Sequence, residues 1–187
     1  PFDNIHRVDE RAQNLGVARS WSLQISEAAN EGDVYPVRPS RNTNAKIRVG
    51  YLSADFHDHA TAHLMRGLFQ AHDRKNFSIH AYSYGPDDGS AYRDSIRASC
   101  DQFVDISAFN DRKAANLIHR DGVDILVDLK GHTRHNRLGI CARRPAPLQV
   151  TYLGFPGTSG AKFFDYILTD KVVTPPATLE CLSESAV

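Results

Sequence analysis

The chain has 187 residues, 41% of them hydrophobic, which suits one globular domain with an appendage. Lys plus Arg and Asp plus Glu number 22 each, so the formal charge is zero and a basic groove for nucleic acid is not indicated. No apolar run is long enough to span a membrane, and the polar opening Pro1-Phe2-Asp3-Asn4 does not read as a secretory signal.

Residues 4 to 31 read as a helix, because Ile5, Val8, Ala12, Leu15, Ala18, Trp21, Ile25 and Ala28 recur three or four apart and make one apolar stripe. Gly32 suits the position just after its end. Residues 32 to 45, with two prolines, Gly, Ser and Asn, read as a linker. The chain therefore divides into an N-terminal amphipathic helix with linker over 1–45 and an α/β region over 46–187.

From Lys46 onward strands and helices alternate. Ile47, Val49, Tyr51 and Leu52 make a mostly buried strand. The unperiodic stretch Ser53–His59 follows it. Asp58 is the expected N-cap of a helix in which Leu64, Leu68 and Ala71 recur at helical spacing. Phe77–Tyr84 is a strand, Pro86–Ser90 a turn, and Ser90 caps a helix running through Ala98. Phe103–Ile106 is a short strand, and Asn110–Asp121 a helix closed by Gly122. The apolar strand Asp124–Leu129 leads into the polar turn Gly131–Arg134. A short helix over Leu138–Arg143 is stopped by Arg144-Pro145-Ala146-Pro147. Gln149–Leu153 is a strand, residues 154–160 a glycine-rich loop, and Asp165–Leu168 a last strand. Repeated β–α–β units with apolar strands predict a Rossmann-like, doubly wound, mostly parallel sheet.

Such a sheet places its ligand site at the carboxyl ends of its strands. Three post-strand loops, 53–59, 130–134 and 154–160, are expected to meet at that edge. The third carries three glycines in seven residues, so its backbone can approach a ligand closely and offer N–H groups. It is neither GxGxxG nor a Walker A loop, and a plain turn imposed by Pro156 is an equal reading. His57, His59 and His63 do not follow a zinc-site spacing, and no metal is expected. A single turn histidine acting as general base or hydrogen-bond donor is better motivated. For His57, His63, His72 and His80 the preferred reading is surface or a satisfied contact, and His119 and Asn116 read as structural. Thr158-Ser159-Gly160 lacks the GxSxG elbow, so a serine hydrolase is rejected. Asp87 and Asp88 sit side by side, which suits turn formation better than acid–base work across a bond. Cys100, Cys141 and Cys181, odd in number and without a CxxC pair, read as reduced thiols in a cytoplasmic protein. The chain does not begin with Met, and its end carries no terminating signal; it is expected to be a piece of a longer polypeptide.

Several stretches taken in order resemble the O-linked N-acetylglucosamine transferase family, which includes the plant SPINDLY proteins. They are Arg48–Phe56, His59–Met65, Pro86–Ser90, Arg144–Gln149, Leu153–Gly160 and Asp165-Tyr166. The likeness covers about residues 46–170, and Asp9-Glu10-Arg11 resembles the family's segment between its tetratricopeptide repeats and its catalytic region. The resemblance implies a GT-B fold, two Rossmann-like halves across a cleft, of which this chain looks like the N-terminal half. The C-terminal half, with the nucleotide pocket and the lysine that meets the diphosphate, would be absent here, as would upstream repeats. It further implies transfer of N-acetylglucosamine from UDP-GlcNAc to Ser or Thr hydroxyls of a protein or peptide acceptor, with inversion. No cofactor or metal, nucleic acid or membrane takes part in that reaction. By position, His59 matches the family's active-site histidine. Leu153, Gly154, Pro156 and Gly157 match the loop on the donor sugar, and His132 and Thr133 a loop near the acceptor. Where animal members carry Asp, this chain has Asn116. The alternatives are another donor (GDP-fucose or UDP-glucose), a catalytically silent scaffold, and a nucleotide-binding regulator.

Overall fold

A computed structural model describes residues 1–29, 35 and 45–187. The expected Gly32 terminator and almost all of the 32–45 linker lie outside the described residues. Seven strands form one all-parallel sheet: β1 Ile47–Ser53, β2 Phe77–Ser83, β3 Gln102–Asp105, β4 Ile125–Asp128, β5 Leu148–Tyr152, β6 Tyr166–Leu168 and β7 Ser185–Ala186. Their spatial order is β3-β2-β1-β4-β5-β6-β7. The helices are α1 Phe2–Ile5, α2 Arg11–Ala29, α3 Ala60–Ala71, α4 Ala91–Ser99, α5 Asp111–Arg120 and α6 Leu138–Ala142, with a 3-10 turn over Pro176–Cys181. The Rossmann-like α/β reading stands. The 3-10 turn and β7 were not foreseen, because a two-residue Ser-Ala strand carries no alternation to read.

The chain steps outward from β1 to β3, then α5 carries it back to β4 on the other flank of β1. The order of strands therefore reverses between β1 and β4, which opens a crevice at their carboxyl ends. The two-residue pleat divides the core into two layers. Val49, Tyr51, Ile79, Ala81 and Val127 point to one face, with Met65 and Phe69 of α3 and Ile96 of α4. Leu52, Tyr82 and Leu126 point to the other, with Ala114 and Ile118 of α5 and Ile140 of α6.

Three local expectations change. The single N-terminal helix is broken at residues 6–10. Within α2 the buried face is Leu15, Ala18, Ser22 and Ala29, while Trp21 is 51% exposed. In α3 the buried residues are Thr61, Ala62, Met65 and Phe69, and Leu64 is 68% exposed. Helix α3 is rolled away from the stripe that hydropathy alone selects, and α2 keeps Leu15 and Ala18 of its stripe inward but turns Trp21 out, with polar Ser22 and Thr61 buried where apolar side chains would be expected. Finally, the N-cap of α3 is His59, not Asp58: the His59 Nδ1 accepts the Thr61 N–H at 3.2 Å. The Asp58 carboxylate is instead paired with the His63 ring at 2.7 Å. The ring in turn stacks on Tyr92, the satisfied contact expected of His63.

Candidate active site at the carboxyl edge of the sheet

Strands β1, β4 and β5 are neighbours, so the loops that leave their carboxyl ends are neighbours too. Direct contacts tie the three together. The loop after β1 carries Asp55, whose two carboxylate oxygens lie 3.0 and 2.9 Å from Lys130 Nζ in the loop after β4. Both side chains are less than a tenth exposed. A buried ion pair draws its strength from low screening but costs desolvation of both ions, so it fixes geometry more surely than it adds stability. The loop after β5 presses on the same loop from the other side. A Cβ built on Gly131 would lie 2.5 Å from Phe155 Cβ, and one built on Gly154 would lie 1.9 Å from the Leu129 carbonyl oxygen. Gly154 needs glycine because backbone passes where a methyl would sit, and Gly131 because the Phe155 side chain fills that place and its own φ is +49°.

His59 stands on this rim. Its ring is 43% exposed, and Nδ1 lies 3.7 Å from the Asp55 carboxylate. Because Nδ1 accepts the Thr61 N–H, the neutral ring carries its hydrogen on Nε2 and presents a donor there. The remainder of the loop is held from beneath by Arg93, which is 1% exposed. Arg93 donates to the Phe56 carbonyl at 3.1 Å and to Ser83 Oγ at 2.9 Å. Asp88 reaches over from the turn after β2 and accepts the Asp58 N–H at 2.8 Å. That bond, the largest cause, draws the Asp88 carboxyl down to about 2. Asp87 and Asp88 also accept the Gly89 and Ser90 N–H groups, which is the turn work expected of them.

The glycine-rich loop has two halves of different character. In its outer half Leu153 and Pro156 are exposed, Gly154 and Gly157 are half-buried, and Phe155 is tucked under. Leu153 sits at φ +65°, a left-handed conformation that costs a non-glycine residue about 1–2 kcal/mol. In its inner half Thr158, Ser159 and Gly160 are buried. Gly160, at φ +67°, is packed against the backbone of Ala18 and Arg19 in α2.

His132 and Thr133 are placed differently from the outer loop residues. The His132 ring is buried, and its Nε2 lies 2.7 Å from the Ser159 carbonyl oxygen. A carbonyl only accepts, so His132 carries its hydrogen on Nε2. Burial lowers its pKa below the usual histidine value and keeps the ring neutral. Thr133 is half-buried and donates from Oγ1 to the Lys130 carbonyl at 2.8 Å. The structure therefore brings His59 and the outer loop residues to one rim and turns the His132 ring inward, beneath the loop. Asn116 lies on α5 and accepts from the Tyr35 hydroxyl at 2.7 Å.

Two residues of this edge escaped sequence reasoning, Lys130 in the loop after β4 and Asp128 at the end of β4; Asp55 lies in the leading turn expected to carry chemistry, but its pairing with Lys130 was not read. Asp128 is 1% exposed. Its Oδ2 accepts the N–H groups of Gly131 at 2.6 Å and Lys130 at 3.3 Å, while Oδ1 has no hydrogen-bond partner among the described residues. Burial outweighs those bonds and the Lys130 charge and pushes its carboxyl up to about 7. The available signal was a lysine directly after an apolar strand, Asp128-Leu129-Lys130, facing an aspartate in the other leading loop. Among the described residues no group of three or more His, Cys, Asp or Glu is placed to hold a metal ion, and no helix is long and apolar enough to cross a membrane.

The sequence matches the family described as Glycosyl transferase family 41 over residues 23–186. It is 39% identical to an Arabidopsis thaliana protein named probable UDP-N-acetylglucosamine–peptide N-acetylglucosaminyltransferase SEC, over 100% of this chain and 20% of that protein. It is 41% identical to the Caenorhabditis elegans UDP-N-acetylglucosamine–peptide N-acetylglucosaminyltransferase, over 76% of this chain and 12% of that one. Its fold is similar to a solved structure of a K341M mutant of the Thermobaculum terrenum O-GlcNAc transferase. There the TM-score is 0.86 and the identity 31%, over 97% of this chain and 34% of that one. The chain thus spans a fifth or less of these two curated relatives and about a third of the solved structure.

Proposed function

The chain belongs to glycosyl transferase family 41, and from that premise we propose that it is the acceptor- and sugar-side half of an inverting protein O-GlcNAc transferase. On this reading the complete protein moves N-acetylglucosamine from UDP-GlcNAc to a Ser or Thr hydroxyl in the cytoplasm. A second Rossmann-like half supplies the nucleotide pocket, and helical repeats precede this region. The observation that carries the reading is the joining of three post-strand loops at the reversal between β1 and β4, with a half-exposed imidazole on one side and an apolar, glycine-lined rim on the other. Leu153 and Pro156 offer the apolar contact that a sugar face takes up, and Gly154 and Gly157 let it approach the backbone.

Inversion requires the hydroxyl oxygen to attack the anomeric carbon from the side opposite the departing diphosphate. The hydroxyl proton must leave, and negative charge must be stabilised on the diphosphate. His59 serves the first side. In the tautomer that the Thr61 contact favours, Nε2–H donates to an oxygen of the sugar or acceptor and orients it. To take a proton at Nε2, the ring must move its hydrogen to Nδ1, toward Asp55. Neither a cofactor nor a metal has a part in this scheme. The test is transfer of labelled N-acetylglucosamine by the full-length protein and its His59→Ala variant. A loss of about a hundredfold or more is expected in a protein that stays folded, the lost cap of α3 costing only about 0.5–2 kcal/mol of stability, and unchanged turnover overturns the role given to His59.

A further inference from the structure

Glu184, three residues after the 3-10 turn ends at Cys181 and one before β7 begins, is 6% exposed. Its carboxylate is filled by the glycine-rich loop. One oxygen accepts from the Thr158 hydroxyl at 2.6 Å; the other accepts the Ser159 N–H at 2.8 Å and also the Ser159 hydroxyl. Thr158 Oγ1 itself accepts the Ser183 N–H at 2.9 Å, so two consecutive residues of each segment are interlocked. The far side of Ser159 is held as firmly. Its carbonyl oxygen accepts from Ser22 Oγ at 2.8 Å and from His132 Nε2 at 2.7 Å. Every polar group of Ser159 is therefore engaged, by α2, by the loop after β4 and by the approach to β7. All of these bonds lie in the buried inner half, two residues from the exposed Pro156.

We propose that Glu184 is the positioning residue of the glycine-rich loop, setting the outer residues Leu153–Gly157 at the height and tilt needed by the sugar of the donor. This rests on the donor-side reading of that loop given above. The physical reason is the left-handed Leu153. A strained residue at the mouth of a flexible segment relaxes unless the segment's other end is over-determined. Glu184 supplies that determination, being a charged acceptor whose three donors all come from the loop. Ser22 and His132 complete the clamp from the opposite side, which gives the buried His132 ring its place in the site without contact with either substrate.

The test uses the full-length protein, Glu184→Gln and Thr158→Val. Gln keeps an acceptor oxygen for Ser159 and loses the acceptor for Thr158, and Val removes the same link from the loop side. Hydrogen exchange read by mass spectrometry is expected to show lost protection at residues 158–161 in both variants, with β1 and β4 unchanged. In steady-state transfer the KM for UDP-GlcNAc is expected to rise about tenfold, the scale of one hydrogen bond to a charged group. The KM for an acceptor peptide should stay within about twofold, a split that a general loss of stability does not produce. Unchanged protection of 158–161 overturns the proposal whether or not the protein transfers N-acetylglucosamine. Lost protection with an unchanged donor KM in an active enzyme overturns it as well. Failure of the wild-type protein to use UDP-GlcNAc, with protection lost in the variants, counts against the donor-side reading instead.

Discussion

Replacing Asp128 by Asn should remove a pH dependence of folding that this one carboxyl imposes. Buried at the end of β4, Asp128 has its carboxyl raised to about 7 from an ordinary value of 3.8, chiefly by loss of hydration. A carboxyl whose folded pKa is raised binds its proton more tightly in the folded state. Its contribution is therefore complete below pH 3.8 and is lost as pH rises through about 7. With those two values, linkage gives a fall in stability of about 3 kcal/mol between pH 5 and pH 8, of which about 1 kcal/mol falls between pH 6.5 and pH 8. Asn keeps a carbonyl oxygen for the Gly131 and Lys130 N–H groups and cannot ionise. Urea unfolding of both proteins over this range isolates the term, because every other titration is shared and cancels in the difference. His132, His72 and His80, whose pKa values burial lowers, act with the opposite sign. They take stability away as pH falls through about 6.5, and this too cancels. The difference curve should favour Asn increasingly as pH rises. Parallel curves for the two proteins from pH 5 to pH 8 would refute a neutral, buried Asp128.

Breaking the Asp55–Lys130 pair from one side should be worse than removing it. Lys130→Met strands a buried carboxylate and is expected to cost about 3–5 kcal/mol in chemical unfolding, while the double change Asp55→Asn, Lys130→Met should recover a large part of that loss; equal losses would deny the coupling. The rolled face of α3 predicts that Leu64→Gln changes stability by less than about 0.5 kcal/mol, whereas Phe69→Ala costs about 3–5 kcal/mol. Thermal unfolding that ranks these two the other way would restore the stripe that hydropathy suggests.

Strands β1 to β6 were legible because each is a short apolar, β-branched or aromatic run bounded by turn residues, and their bounds shift by only a residue or so in the structure. The alternation of strand and helix then limits the topology to a parallel, doubly wound sheet. Helix faces were less legible. Trp21 and Leu64 lie in the apolar stripes yet face outward, while polar Ser22 and Thr61 on the same helices are buried. Ser22 is buried because its hydroxyl has a partner, the Ser159 carbonyl, 137 residues away in sequence. Hydropathy has no access to such pairing. The same limit hid Lys130, Glu184 and the burial of Asp55, charged residues that are expected at the surface unless a partner is known. For Glu184 nothing in the local sequence marks the place, since its donors come from a loop some 25 residues earlier. The misplaced cap has a different cause: Asp58 belongs to the usual capping set and His59 does not, yet the histidine's Nδ1 is the atom that reaches the Thr61 N–H.

The most direct measurement is a crystal structure of the full-length protein with UDP-GlcNAc bound. The sugar ring should lie against the backbone of Leu153–Gly157, with the His59 ring within about 4 Å of a sugar or acceptor oxygen. A sugar seated away from that loop, or a His59 ring out of reach of it, would contradict the assignment of this rim as the place of transfer.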